Sequence, residues 1–377
     1  GDNKAGFIDP GFLPLTVGPA GPALAELYVW GLNDLGQLGL GDTTYAYSSP
    51  SQVGSLVNWA TLASGWTNTN AVTLDGTLLS WGSNNVGQLG VGNITNYSSP
   101  VQVGALTDWL KSASGYWNSS ATKTDGTLWA WGQNTSGALG IGDTTNRSSP
   151  VQVGALTTWD IIASGVNFSV AVTTSGTLYA WGYNAYGQLG DGSATSRSSP
   201  VQIGALTTWA TVGAGRQFAL AIKTDGTLWS WGRSNKGQLG HNNTTNHNSP
   251  VQVGALTDWL SVTAGKYFTR AVKTDGTLWC WGHNDKGQLG QSNTTDYSSP
   301  VQVGALTTWL KGGGIMNATG AIKTDGTYWT WGRNVAGELG HGNTNLNSSP
   351  VQVGVLTTWN EIGTSSTGSS MFGTILV

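Results

Sequence analysis

One phrase, written seven times, limits what this chain can become. A Trp-Gly pair followed by a Gln-Leu-Gly-like turn occurs at Trp30, Trp81, Trp131, Trp181, Trp231, Trp281 and Trp331, every 50 residues from the second copy onward. A second tryptophan keeps the same beat at Trp59, Trp109, Trp159, Trp209, Trp259, Trp309 and Trp359. Ser-Pro recurs with it, from Pro50 to Pro350. Self-similarity at a period of roughly 20–50 residues marks a repeat architecture, so the 377 residues do not divide into ordinary domains.

One unit shows what repeats. Residues 109–113 and 120–124 alternate as short strands, and Asp125-Gly126 makes the tight turn into a third strand over 127–131. Gly is required there because such turns place residues at positive φ. A Gly-rich connection over 132–142 leads to a fourth strand over 149–154, whose leading Pro150 suits an edge without a ladder N–H to lose. Four short antiparallel strands per unit and no helical period predict an all-β, seven-bladed β-propeller. A straight solenoid is the competitor, and the sequence around the first and last units decides between them. Residues 27–31 match a third strand with no first or second strand before it, while 359–377 supply a first and second strand with no third. One composite blade shared by the two ends closes the ring. The predicted propeller spans residues 27–377. Residues 1–26, apolar at Phe7, Ile8, Phe12, Leu13 and Leu15, read as an extended arm that docks on an assembly or as a linker.

Composition narrows the function. Only 9% of residues are charged, against 57 glycines and 20 tryptophans, so the surface is dressed in Ser, Thr and Asn. With net charge −3 and no basic run, nucleic acid is not an expected partner, since phosphate neutralisation needs clustered Lys and Arg. No apolar run reaches the roughly 18 residues of a membrane span. The lone Cys280 occupies a small-residue position, equivalent to Ser80 and Ala130, and gives neither a disulfide framework nor a cysteine metal site. Asp75, Asp125, Asp225, Asp275 and Asp325 each precede the turn glycine and are replaced once by Ser175, which fits turn chemistry better than a ring of ligands. His241, His247, His283 and His341 have no legible carboxylate partner, and no nucleophile–base arrangement is visible. Neither cofactor, metal nor catalytic residue is expected, and the chain reads as non-enzymatic.

The unit also resembles a known repeat. Gly65-Trp66-Thr67-Asn68-Thr69-Asn70-Ala71-Val72, then Asp75-Gly76, Trp81-Gly82-Ser83-Asn84 and Gly87-Gln88-Leu89-Gly90, is similar to the regulator-of-chromosome-condensation repeat, in every unit. That resemblance implies a seven-bladed propeller. It implies no single function, because the family includes guanine-nucleotide exchange factors, a secreted bacterial inhibitor of β-lactamases, a plant ultraviolet photoreceptor and many bacterial and phage repeat proteins. An exchange factor is disfavoured by even spacing without an inserted wing, by the missing basic tail, and by Asn68, Asn118, Phe168, Phe218, Phe268 and Ala318 where the family often has His. The photoreceptor's Arg-interleaved Trp clusters have no counterpart in residues 65–69.

The units disagree at three places: after the glycine that ends the first strand, after Trp-Gly, and before Ser-Pro. The substitutes are rich in Trp, Tyr and Arg, the residue types of binding hot spots, on loops of a rigid ring. Trp66, Tyr116, Trp117, Arg216, Lys266, Tyr267, Tyr183 and Arg233 are therefore the expected partner-binding residues. Arg216, Arg233, Lys236, Lys266, Arg270 and Lys286 suggest one mildly positive sector. The expected role is a binding scaffold making protein–protein contacts on a phage virion or bacterial surface, hence extracellular. A glycan-binding propeller and an exchange-factor-like regulator are the alternatives.

Overall fold

A computed structural model describes residues 23–363 and 365–377. The predicted arm residues Phe7, Ile8, Phe12, Leu13 and Leu15 lie outside them. The described residues form seven four-stranded antiparallel sheets. In the second blade the strands are Trp109–Ser114, Asn118–Lys123, Leu128–Gly132 and Arg147–Gln152, running outward from the central axis. The fourth strand begins earlier than its proline suggested. Its pairing with the third strand jumps from Arg147 to Val151, so Pro150 sits inside a bulge where no ladder N–H is called for.

The ring closes through a composite blade. Ala25–Leu32 pairs with Ser370–Leu376 without a break from Ala25 opposite Leu376 to Gly31 opposite Ser370. Trp359–Ile362 forms the inner strand of that blade and Ala46–Gln52 the outer one. The first strand starts at Ala25, ahead of the boundary at residue 27 read from the sequence.

Tryptophan holds the blades together. All fourteen residues of the two periodic sets are at most 4% exposed. Burying an aromatic of this size, roughly 150–250 Å² at about 25 cal/mol per Å², is worth on the order of 4–6 kcal/mol gross. The Trp131 Nε1–H also donates to the Gln88 carbonyl of the preceding unit at 3.0 Å, and Trp181 to Ala138 and Trp231 to Gln188 at the same length. Each of these indoles thus joins one blade to its neighbour as well as filling its core. Four more, Trp129, Trp229, Trp279 and Trp329, bond the hydroxyl of Thr127, Thr227, Thr277 and Thr327 and lie under Lys123, Lys223, Lys273 and Lys323.

The Asp-Gly turns behave as turns. Asp125 accepts from the Thr127 N–H at 2.9 Å and its hydroxyl at 2.6 Å, which holds the carboxylate below its usual range. A Cβ on Gly126 (φ +77°) would meet the Thr157 carbonyl at 2.1 Å, so the next connection can close over this turn only because glycine is there. Among the described residues no cluster of His, Cys, Asp and Glu could hold a metal ion. His241 and His341 instead bond Ser230 and Thr330 inside their own blades.

One sequence expectation is corrected. Arg270 does not contribute to a positive surface sector: it is entirely buried, opposite Cys280 in the sheet. Its Nη1 donates to the Ala318 carbonyl at 3.2 Å, and it has room because Gly314 of the neighbouring blade has no Cβ to block it. Burial without a carboxylate pulls its pKa down to about 10.

Candidate functional site

On one face of the ring, the turns between first and second strands surround the mouth of the central channel. Glycine lets them nest. A Cβ on Gly65 would stand 2.5 Å from the Gly115 carbonyl of the next blade. The residue after that glycine then looks onto the axis, and its backbone links blade to blade. The Val166 N–H donates to Arg216 O, Arg216 to Lys266 O, Lys266 to Met316 O and Met316 to Gly368 O, at 2.9–3.2 Å.

A second backbone bond joins two of the variable positions. The residue after Trp-Gly donates its N–H to the carbonyl two residues past the turn glycine: Gln133 to Trp117, Tyr183 to Asn167, Arg233 to Gln217 and His283 to Tyr267, at 2.8–2.9 Å. Side chains vary over a backbone that does not. The third variable position is farther out and is used locally. Arg197, for example, bonds Asp191 at 3.0 Å, and the Tyr297 hydroxyl accepts from Asn293 at 3.1 Å.

The predicted residues fall into two groups facing each other across the mouth. Trp66 stacks on Tyr116 with centroids 4.3 Å apart and planes 16° from parallel, and Trp117 meets Tyr116 edge-on at 4.5 Å. Opposite, Arg216 Nη1 donates to the Tyr267 hydroxyl at 2.8 Å, and the Arg233 guanidinium lies 5.7 Å from the Tyr267 ring and 4.7 Å from the Tyr186 ring. Lys266 Nζ is 5.5 Å from the Tyr267 ring. Burial, reinforced by the neighbouring charges of Arg216 and Arg333, pulls the Lys266 pKa below its ordinary value. Among the described residues no carboxylate forms an ion pair with Arg216, Arg233 or Lys266.

Two recesses adjoin. One, of about 190 Å³, is lined by Trp66, Tyr116, Val166, Arg216, Lys266, Met316, Ser366 and Thr367. The other, of about 400 Å³, runs outward between Trp66 and Trp117 over Leu32, Leu35 and Val86. Tyr183 lines neither and touches the group only through Tyr186, 6.4 Å away. Ser366 and Thr367 were missed from the sequence. Two residues separate Gly165 from Phe168, whereas eight separate Gly363 from Phe372, and that longer turn in the composite blade was the available signal. Residues 365–368 lie over the axis, and Ser366 lines both the mouth and the cavity inside the channel, so this turn forms a floor between them.

Matches to the Regulator of chromosome condensation (RCC1) repeat cover residues 25–72, 75–121, 125–172, 175–222, 225–272, 275–311 and 325–369. The chain belongs to the RCC1-repeat family. A 68-residue stretch of this RCC1-repeat chain, 18% of its length, is 41% identical to the probable E3 ubiquitin-protein ligase HERC3 of Homo sapiens and covers 6% of that protein. A stretch of 69 residues, again 18% of the chain, is 42% identical to the Ultraviolet-B receptor UVR8 of Arabidopsis thaliana, covering 16% of it. The chain therefore spans only a small part of either relative. Yeast RCC1 (Prp20), solved bound to Kap60, superposes with a TM-score of 0.84 at 18% identity, over 100% of this chain and 94% of that one. That likeness is one of fold.

Proposed function

We propose that this propeller is a non-enzymatic interaction scaffold that grips a protein partner across the channel mouth. One observation carries the reading. Of 20 tryptophans, fourteen fill the blade cores and four are tied to Thr and Lys of their own repeat, which leaves Trp66 and Trp117. Those two converge at one side of the mouth, facing cations that form no ion pair among the described residues on the other. Large rigid aromatics beside guanidinium groups are what protein interfaces concentrate at their centres. Yeast RCC1 bound to Kap60 is a propeller of this fold in a protein complex. A sparsely charged surface of Ser, Thr and Asn over a closed ring suits a phage virion or bacterial surface, where we place it. Glycan binding is the second reading, favoured by the open recess between Trp66 and Trp117. It is weakened because Trp66 already has one face covered by Tyr116.

The test is chemical cross-linking and affinity capture from the native source, with the full chain and with a W66A/W117A/Y267A variant. The expected outcome is loss of the main protein adduct in the variant at unchanged melting temperature. An adduct of equal yield in both would remove the mouth from consideration.

A further inference from the structure

The floor and wall of the smaller recess carry an unusual set of unmet polar groups. Ser366 is 6% exposed and Thr367 2%, yet neither hydroxyl has a hydrogen-bond partner within the protein. Arg216 Nε is likewise shut away from solvent with no acceptor. All three residues line the same cavity as Lys266. Buried polar groups are nearly always paired, and each one left unpaired costs about 1–3 kcal/mol. The cavity, about 190 Å³, far exceeds the roughly 10–15 Å³ that one water needs. Water would satisfy the hydroxyls but would leave Arg216 and Lys266 adjacent and without an ion-pair partner, Asp285 acting on Lys266 only from a distance.

Resting on the reading of the mouth as a protein-binding face, we propose that this recess seats a carboxylate from an acidic side chain of the partner, with an apolar neighbour of that side chain on Trp66. An oxyanion there accepts from Arg216, Lys266, Ser366 and Thr367 together, and it neutralises two like charges that now crowd each other. Bonds of this charge-assisted kind are about twice as strong as neutral ones. The remaining lining selects among anions. Trp66, Val166 and Met316 contribute apolar surface that suits a singly charged group on a hydrocarbon stem. A fully hydrated phosphate would have to shed more water to enter.

The experiment is an NMR titration of the full chain, observing the Trp66 indole N–H, which is identified by its absence from the W66A spectrum. The probes are acetyl-Glu-Phe-amide, its isostere acetyl-Gln-Phe-amide, and inorganic phosphate. The acidic peptide is expected to bind tighter than its amide by about tenfold or more, the scale of one charge-assisted bond replacing a neutral one. In R216Q/K266Q that preference should vanish while the melting temperature does not fall. Equal affinity for the two peptides, absence of binding by either, tighter binding of phosphate, or a preference surviving in R216Q/K266Q would each overturn the carboxylate seat. Capture of the native partner separates this from the broader reading. If capture fails in W66A/W117A/Y267A but persists in R216Q/K266Q, the interface stands and the seat falls.

Discussion

The fourteen core tryptophans and the ring of residues at the channel mouth occupy equally regular positions, yet they are held in opposite ways. A core indole such as Trp181 is fixed by its surroundings on every side, down to a 3.0 Å bond from its Nε1 to the preceding blade. At the mouth what the units share is the backbone, tied by bonds running from Val166 to Arg216 to Lys266 to Met316. Side chains there range from Trp66 through Val166 to Lys266. Where packing decides, the seven units agree. Where only the main chain is specified, they are free to differ, and that freedom is what makes a sevenfold scaffold able to present a surface with no sevenfold symmetry.

The sharpest way to break this contrast is to open the ring. Deleting residues 370–377 removes the strand between Ala25–Leu32 and Trp359–Ile362 and uncovers an edge of each. In calorimetry the full chain is expected to melt in one cooperative transition, and the truncated chain to show that transition split or lost. A smaller effect separates the two classes of tryptophan directly. Trp181→Ala should cost about 3–5 kcal/mol by cavity formation, read as a lowered urea midpoint, whereas Trp66→Ala should stay within about 1 kcal/mol. Comparable losses from both would erase the distinction between core and mouth. The smallest effect concerns pH. Burial lowers the pKa of His241 and His341, so the fold favours their neutral forms. A base with a depressed folded pKa leaves the unfolded chain holding more protons, so stability falls as the pH drops through the unfolded value near ~6.5. Melting at pH 5 should occur below melting at pH 7.5. The double variant H241Q/H341Q, which copies Gln291 at the equivalent place, should narrow that gap. An unchanged gap would mean that other groups set it.

Nearly all of the architecture was legible because the period repeats every constraint: Trp-Gly for the blade core, Asp-Gly for the turn, Ser-Pro for the outer strand. Even ring closure could be read from the incomplete first and last units. The departures occur where one unit differs from the rest and the others offer no guidance. Arg270 looked like a surface cation because arginine usually is one. Its burial needs Gly314, in a different blade, and no periodic alignment connects the two. Ser366 and Thr367 escape a reading that assigns two strands to residues 359–377 without fixing where the second begins; the excess length before Phe372 shows only when Phe372 is set against Phe168. The eight side chains proposed for binding were found by their chemical type. Their separation into an aromatic group and a cationic group, and the peripheral place of Tyr183, needed coordinates.

The composite blade also fixes an orientation. The Val377 N–H reaches the Leu24 carbonyl at 3.1 Å, at the Asp-Gly end of the blade, while Gly31 and Ser370 stand at the other end beside the mouth. A tether or fusion joined at Leu24 or Val377 would therefore leave from the reverse side of the disc. An anchor there holds the molecule like a dish on its stem, with Trp66 and Arg216 turned outward and unobstructed.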